Sequence, residues 1–248
     1  MNRILIAPWA VVLPFILSSR AAEITPAEVI QRFARKESDF NRVWQQYTYT
    51  QTILFQVIGP SNKPREQRQV VVEVYFTKEG KRETRMVEDR GRLRSIHVSP
   101  EDLSDAISLQ PFVLTTENLG EYKITFVNKE RVDELDTYVF DVKPRKKKKG
   151  KRYFQGRIWV DDVDYQIVMT RGKIVPDYKN NKFPKFETLR EQIDGEYWFP
   201  TWTEADDILH FGRTTGDVHV RQLITYENFQ KFEVDTSIKY GPAKEPRQ

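Results

Sequence analysis

The feature that most constrains this chain is a long succession of short segments in which apolar and polar residues alternate. Between Tyr47 and Val57 the large apolar side chains recur with a period of two, and 70–76 repeats the pattern after a Gly-Pro turn. This period places opposite faces of an antiparallel strand in apolar and polar surroundings. We predict strands over Tyr47–Val57, Val70–Phe76, Arg82–Glu88, Tyr122–Val127, Arg131–Val142, Tyr153–Val160, Tyr165–Arg171, Phe186–Ile193, Tyr197–Asp206, Val218–Tyr226 and Glu233–Ile238.

Two segments instead carry helix signals. Thr25-Pro26-Ala27-Glu28 is typical of a capping box with proline at the first helical position, and it predicts a helix from Pro26 to about Trp44, continuous or broken near Ser38. Ser99-Pro100 predicts a second, short helix, which leads into the apolar stretch 109–114.

The links between the predicted strands are short and rich in turn residues, at 127–130, 161–164 and 194–196 for example. A sheet of about ten strands must curl. The predicted fold is therefore mainly β within the α+β class. It is a strongly curved antiparallel sheet that forms an unclosed β-barrel, with an N-terminal helix and a short lid helix against its open side.

The amino terminus resembles a secretory signal peptide. Arg3 precedes an uncharged run of 14 residues, Ile4–Leu17, and small residues follow it. We expect cleavage after Ala21, the rival being an uncleaved anchor, for which the run is short. The expected organisation is a signal peptide over 1–21 and a single domain over 22–248, with a disordered tail from about 241.

Positive charge is concentrated in one place. Cleavage after Ala21 would reduce the net charge from +4 to a surplus of two, and seven of the eight residues in Arg145–Arg152 are basic. Such a run is typical of a solvated hairpin tip. The alternative is contact with an anionic surface of lipid headgroups through Lys146, Lys147, Lys148, Lys149, Lys151 and Arg152. No basic groove accompanies the aromatic residues, so we expect no nucleic-acid partner.

Little in the sequence points to catalysis. The chain has no cysteine and three histidines, which lie far apart at His97, His210 and His219. The acidic cluster 161–164 lies where a hairpin turn is predicted and lacks the spacing of a calcium loop. We therefore predict a protein that is not an enzyme and uses no metal or cofactor. Carboxylates that only folding brings together remain as an alternative.

The aromatic residues of the C-terminal half have two interpretations. Trp159, Trp198 and Phe199 fill the interior of the sheet, or they line a pocket for an apolar ligand.

The order of segments resembles a known superfamily. It runs from the N-terminal helix through hairpins to Leu109-Gln110-Pro111-Phe112-Val113-Leu114. Gly156-Arg157-Ile158-Trp159-Val160-Asp161 and Ile193-Asp194-Gly195-Glu196-Tyr197-Trp198-Phe199-Pro200 follow. This pattern, over about 27–240, is similar to the periplasmic outer-membrane lipoprotein-sorting carriers, the LolA/LolB-like superfamily.

The resemblance implies a soluble, monomeric periplasmic carrier with a hydrophobic cavity for the acyl chains of lipoproteins or related lipids. The lid would consist of Leu109, Phe112, Val113, Leu114 and Leu119, and the wall of Phe140, Ile158 and Trp198. For the arginine that these carriers have in the sheet, Arg157, Arg190 and Arg221 are candidates. The chain is longer than such carriers and has the added basic run. The alternative function is therefore a non-enzymatic sensor of envelope stress on the same fold that binds a protein partner.

Overall fold

The computed structural model describes residues 24–108, 112–177, 182–212 and 216–232. The predicted signal peptide, Leu109, the strand expected over 233–238 and the C-terminal tail lie outside the described residues.

The N-terminal helix forms where its capping box predicts. α1 spans Pro26–Trp44 without a break at Ser38. The hydroxyl of Thr25 accepts the N–H of Glu28 at 3.3 Å, and the Glu28 carboxylate accepts the N–H of Thr25 at 2.8 Å. The hydroxyl of Ser38 donates back to the carbonyl of Ala34 at 2.8 Å, so it is satisfied within the helix.

All described strands belong to one ten-stranded antiparallel sheet, which confirms the predicted fold class. Their bounds are β1 Tyr47–Ile58, β2 Pro64–Phe76, β3 Arg82–Arg92, β4 Tyr122–Val132, β5 Leu135–Pro144, β6 Tyr153–Asp161, β7 Ile167–Val175, β8 Phe186–Gln192, β9 Trp198–His210 and β10 Asp217–Lys231. The spatial order is β3-β2-β1-β10-β9-β8-β7-β6-β5-β4, so β10 pairs with β1, and β3 and β4 are the two free edges.

The connection between these two edges is the long one. It contains α2, Pro100–Ser108, and a single 3-10 turn, Leu119–Glu121. Since β3 and β4 flank the opening of the unclosed barrel, this connection has to cross that opening.

One predicted turn is wrong. The sequence predicts a turn at 127–130, but β4 continues to Val132, and the chain reverses at Asp133, which has a φ of 50°. The residues around Asn128 form a bulge instead, where the register between β4 and β5 shifts. A bulge uses the same turn-forming residues without ending the strand. The predicted turn at 161–164 is confirmed: the Asp161 carboxylate accepts the N–H of Val163 at 3.1 Å and of Asp164 at 2.8 Å.

α1 lies along the inner face of the sheet and contacts two apolar clusters. Val29 and Phe33 pack with side chains of β4–β8, whereas Phe40 and Trp44 pack with side chains of β1, β2, β9 and β10. A separate cluster around Val139 and Trp159 covers the outer face of β5–β7. None of the described helices has the length and apolar composition needed to cross a bilayer.

Candidate functional site

The segment that follows α2 lies on the apolar inner face of the sheet. We call residues 112–119 the lid segment. The ring of Phe112 stacks on Phe154 of β6 with centroids 4.3 Å apart, and Leu114 has no exposed surface. Neither residue belongs to a strand, so side-chain packing holds them against this part of the sheet.

The structure brings most of the residues expected in the lid and wall together. Phe112, Leu114, Phe140 and Ile158 share one buried cluster, against which Leu119 is partly buried. Val113 turns toward the neighbouring cluster around Phe40. These residues come from the lid segment, β5 and β6, which are distant in sequence and meet only on the inner face.

Trp198 is not brought into this group. It packs with Val139 and Trp159 on the outer face of the sheet, and its indole N–H donates to the carboxylate of Asp164 at 2.8 Å. Its neighbour Phe199 is the residue of this segment that points inward. Leu109, the remaining residue of the expected lid, lies outside the described residues.

A buried ion pair joins α1, β8 and the lid segment. Arg190 donates from Nη1 to Oε1 of Glu37 at 2.9 Å and from Nη2 to Oε2 at 3.2 Å, and both side chains are essentially unexposed. The same Nη2 donates to the carbonyl oxygen of Phe112. The guanidinium also lies 5.0 Å from the ring centroid of Phe40. One arginine therefore fixes a helix and the lid segment to the sheet.

Glu37 is the residue at this site that sequence reasoning missed. Burial raises its pKa, while the charge of Arg190 and hydrogen bonds from the N–H groups of Ile167 and Leu114 act in the opposite direction. The available signal was its position: Glu37 lies four residues after Phe33 and three before Phe40, on the apolar stripe of α1. A carboxylate there requires a buried partner.

Of the three candidate arginines, only Arg190 is directed into the barrel. Arg157 pairs with Asp141 at 3.0 Å and Arg221 pairs with Asp206 at 2.7 Å, and both pairs lie at the surface. The alternation in β8 accounts for the difference, because Arg190 shares the inner face with Phe186 and Thr188.

α2 has its own attachments to the sheet. The buried amide of Gln51 on β1 donates to the carbonyl of Ala106 at 3.3 Å. Arg152, at the start of β6, donates to the carboxylate of Asp105 and lies 3.6 Å from Asp102. These polar attachments add to the apolar packing of α2, in which Ala106 is buried and Leu103 and Ile107 pack against the cluster around Phe40.

A small cavity lies beneath α2, at the end of the barrel where β1, β7 and β9 finish. Its volume is about 100 Å³. Its walls are mainly apolar and include Phe55, Ile96, Ile174, Phe183, Leu209 and Phe211, with Asp102 and Asp105 of α2 at one side. Ligand pockets for drug-sized molecules measure roughly 300–1,000 Å³. In this arrangement the interior is thus mostly a packed core.

The basic run forms the tip of the hairpin between β5 and β6, as its composition predicts; we call Arg145–Arg152 the basic hairpin. Lys151 lies 2.6 Å and Lys148 3.6 Å from the carboxylate of Glu121, which precedes β4. Lys146, Lys147 and Lys149 are exposed and form no ion pair with any residue that the structure describes.

Two of the three histidines form ordinary surface pairs. His210 pairs with Asp217 at 2.8 Å, and His219 pairs with Asp206. Within the part of the chain that the structure describes, no three histidine, aspartate or glutamate side chains are grouped so that they could hold a metal ion.

Comparison with known proteins gives similarities at the level of solved structures. A LolA superfamily protein from Nitrosomonas europaea matches 88% of this chain and 99% of its own length, at 10% identity and a TM-score of 0.35. A putative outer membrane lipoprotein-sorting protein domain from Vibrio parahaemolyticus matches 85% and 95%, at 9% identity and a TM-score of 0.39. MucB, in its complex with MucA, matches 84% and 99%, at 9% identity and a TM-score of 0.24.

No family model and no curated protein matches the sequence. The first two structures are a LolA superfamily protein and a putative lipoprotein-sorting domain, which are the kinds of protein that the sequence resembles. At TM-scores this low the likeness carries no argument about what the chain binds, and the function has to be argued from its own residues.

Proposed function

We propose that this chain is an exported, soluble and monomeric carrier that holds the acyl chains of lipoproteins or related lipids between its lid and the inner face of its sheet. It works in the periplasm, without a cofactor and without covalent chemistry. The observation that carries the proposal is the lid segment. It is a non-repetitive stretch whose apolar side chains cover the apolar inner face of an unclosed sheet, and it is not hydrogen-bonded into that sheet as a strand.

The physical basis is exchange of one apolar cover for another. Displacing Phe112 and Leu114 would expose Phe140, Phe154 and Ile158. An acyl chain that took their place would gain about 0.8 kcal/mol for each methylene group removed from water. The cavity of about 100 Å³ beneath α2 is too small for such a chain, so uptake requires the lid segment to move.

Movement of the lid can be blocked by a disulfide. The hydroxyl oxygens of Ser38 on α1 and Thr116 in the lid segment are 3.1 Å apart, and the natural chain has no cysteine that could interfere. In the Ser38→Cys/Thr116→Cys variant we expect uptake of a fluorescent fatty acid when the protein is reduced and at least a tenfold slower uptake when it is oxidised.

A matched control separates lid closure from the mere presence of a disulfide. Thr188 and Thr203 face each other on β8 and β9 with hydroxyl oxygens 2.8 Å apart, so Thr188→Cys/Thr203→Cys places the bond within the sheet. Its uptake should not depend on the redox state. Equal uptake by the oxidised and reduced forms of the lid variant would contradict the proposed opening.

The packed interior favours a second candidate, a sensor module that binds a protein partner and never opens. Mass spectrometry after organic extraction of the purified protein separates the two. A co-purifying lipid or lipopeptide supports the carrier. The carrier is contradicted if the natural chain yields no lipid and the reduced lid variant takes up no fatty acid. The partner-binding module then remains.

A further inference from the structure

A second surface, on the opposite side of the sheet from the lid, is strongly basic. A groove of about 680 Å³ runs across the outer face of β4–β7 at the end of the barrel where the basic hairpin lies. We call it the basic groove. Its walls include Lys123, Lys143, Arg157, Arg171, Lys173 and Lys185, and of the described residues that line it only Asp141 is acidic.

Half of these basic residues are neutralised by neighbours. Arg157 pairs with Asp141, Arg171 with Glu187, and Lys173 with Asp177. Lys123, Lys143 and Lys185 are all exposed, and none of them forms an ion pair within the described parts of the chain. The unpaired charges are therefore free to meet an external anion.

The register of the sheet makes two of these lysines repel each other. Lys123 on β4 and Lys143 on β5 are directly opposite in the antiparallel pair. Like charges in that position destabilise a sheet. The arrangement costs stability in the free protein, and a bound anion would remove the cost.

The basic hairpin extends the same surface, because it begins two residues after Lys143. With Lys146, Lys147 and Lys149, six exposed lysines at this end of the sheet have no ion-pair partner among the described residues. From these observations we propose that the basic groove and the basic hairpin together dock the protein on an anionic phospholipid membrane.

The chemistry of the surface favours lipid headgroups over other polyanions. Among the described residues no aromatic side chain lines the basic groove, and the ring of Trp159 beside Arg171 is buried. Binding of single-stranded nucleic acid depends on aromatic stacking. Protein interfaces centre on buried aromatic or arginine anchors. Both arginines of the basic groove, Arg157 and Arg171, are already paired with carboxylates. A headgroup layer needs only accessible positive charge, with a contribution from each lysine near the surface.

The position of this surface also fits the proposed function, on which this last step rests. Arg152 of the basic hairpin contacts Asp105, and its guanidinium lies 4.7 Å from the ring centroid of Phe183. Asp105 and Phe183 both line the cavity beneath α2. Docking through the basic hairpin would therefore bring the α2 end of the barrel to the membrane that supplies or receives an acyl chain.

The test is sedimentation of the mature chain with vesicles of phosphatidylcholine alone and of an equimolar mixture with phosphatidylglycerol. We expect binding to the mixed vesicles only, weakened by added salt, which screens exposed charges. Lys146→Glu/Lys147→Glu/Lys149→Glu should lower the affinity by about 100-fold. The control Arg35→Glu/Lys78→Glu/Lys231→Glu changes the net charge equally at exposed sites elsewhere, and it should retain most of the binding.

One further variant excludes damage to the fold as the cause. Lys143→Glu should weaken vesicle binding while raising the urea midpoint, because it replaces the repulsion with Lys123 by an attraction. Equal binding to both kinds of vesicle, equal losses in the two triple variants, or binding of RNA without binding of vesicles would overturn the proposal.

Fatty acid uptake from detergent solution, measured with the same proteins, keeps the two proposals separate. Uptake without vesicle binding would overturn the docking surface and leave the carrier standing. Vesicle binding without uptake would overturn the carrier and leave the docking surface standing.

Discussion

At the scale of single residues, the most consequential feature is a carboxylate without exposed surface. Glu37 lies on the apolar stripe of α1 and is balanced by one guanidinium from β8. Desolvating two charges is costly, and a buried pair of this kind adds little net stability. What it does supply is a defined position, because Arg190 can reach Glu37 and the Phe112 carbonyl together only when α1 and the lid segment are both seated.

Removal of one partner of this ion pair should therefore strongly destabilise the folded protein. In Arg190→Met the Glu37 carboxylate stays buried without its cation, and we expect the free energy of unfolding to fall by about 3–5 kcal/mol, measured by urea denaturation. Arg157→Met, which breaks an exposed pair with Asp141, should cost less than about 1 kcal/mol. Because Glu37→Gln removes the unpaired charge, the double variant Glu37→Gln/Arg190→Met should be more stable than Arg190→Met alone. A double variant as unstable as the two losses added together would show that the side chains act independently.

A second carboxylate positions the wall of the cavity. Glu66 on β2 accepts the N–H of Arg94 at 2.6 Å and of Ser95 at 2.9 Å, immediately before the residues around Ile96 that line the cavity. The hydrogen bond from the Ser95 hydroxyl, together with these two backbone bonds, lowers the pKa of Glu66 from 4.5 to about 2. The ionised form is thus favoured by folding, and its contribution is complete above pH 4.5 and lost as the pH falls toward 2.

Glu66→Gln should remove this contribution. Near neutral pH we expect the variant to be less stable than the natural chain by about 1–2 kcal/mol, the usual difference for hydrogen bonds to a charged group. The two urea midpoints should converge between pH 4.5 and 2. Parallel midpoints over that range would mean that Glu66 is not ionised more readily in the folded state.

At the scale of elements, local signals were sufficient where they acted on adjacent residues. The capping box at Thr25 and the alternation in β1, β6 and β9 predict the observed elements. The turn expected at 127–130 failed because Asn and Lys favour a bulge as readily as a reversal, and only pairing with β5 decides between them. The face of Trp198 could not be assigned for a similar reason. Alternation separates Trp198 from Phe199 but does not say which of the two is inside.

The site itself was only partly predictable. The lid residues could be named because an apolar, non-repetitive stretch after a short helix is unusual. Their partner Arg190 could not be chosen among three arginines, since each lies on a strand with acidic residues nearby. Alternation places Arg190 on one face with Phe186 and Thr188, but only packing against α1 shows that this face is the inner one.

The packing of the lid segment against the sheet depends on Gly172, which no pattern in the sequence singles out. A Cβ at Gly172 on β7 would come within 2.5 Å of the backbone carbonyl oxygen of Gln155 and within 2.7 Å of Cε2 in the ring of Phe154, on which Phe112 stacks. We expect Gly172→Ala to lower the free energy of unfolding by about 1–3 kcal/mol, the usual cost of overpacking. It should also speed fatty acid uptake, because the displaced ring loosens the lid. Gly212→Ala, where a side chain meets open space, should change stability by less than about 0.5 kcal/mol. Equal effects of the two substitutions would contradict the role assigned to Gly172.

At the scale of the whole molecule, the position of the lid follows from the topology. The sheet is a meander except between β3 and β4, and pairing of β10 with β1 makes those two strands the edges. The connection between the edges has to span the opening of the barrel. Its length, 93–121, provides both α2 and the lid segment. The order of strands, which the sequence does not contain in any local form, thus decides which loop becomes a cover.

The same topology bears on the predicted single domain. Each half of the sheet has its own apolar cluster, and α1 contacts both, through Val29 and Phe33 in one and Phe40 and Trp44 in the other. Neither cluster can keep its packing when α1 leaves, so the two halves should unfold together in one cooperative transition.

Two single-tryptophan variants test whether the two halves of the sheet unfold in one transition. One retains Trp44 on α1 and the other retains Trp159 on the outer face of β6, with phenylalanine at the remaining tryptophan positions. Each variant has its own stability, so fluorescence has to be compared with far-ultraviolet circular dichroism within each protein. We expect the two signals to give the same urea midpoint in both variants, because the loss of α1 exposes both halves of the sheet. A fluorescence midpoint that precedes the dichroism midpoint in the Trp44 variant, together with coincident signals in the Trp159 variant, would mean that α1 detaches while β4–β8 remain folded. In that case the helix would be a movable part of the lid, and the chain would not unfold as one domain.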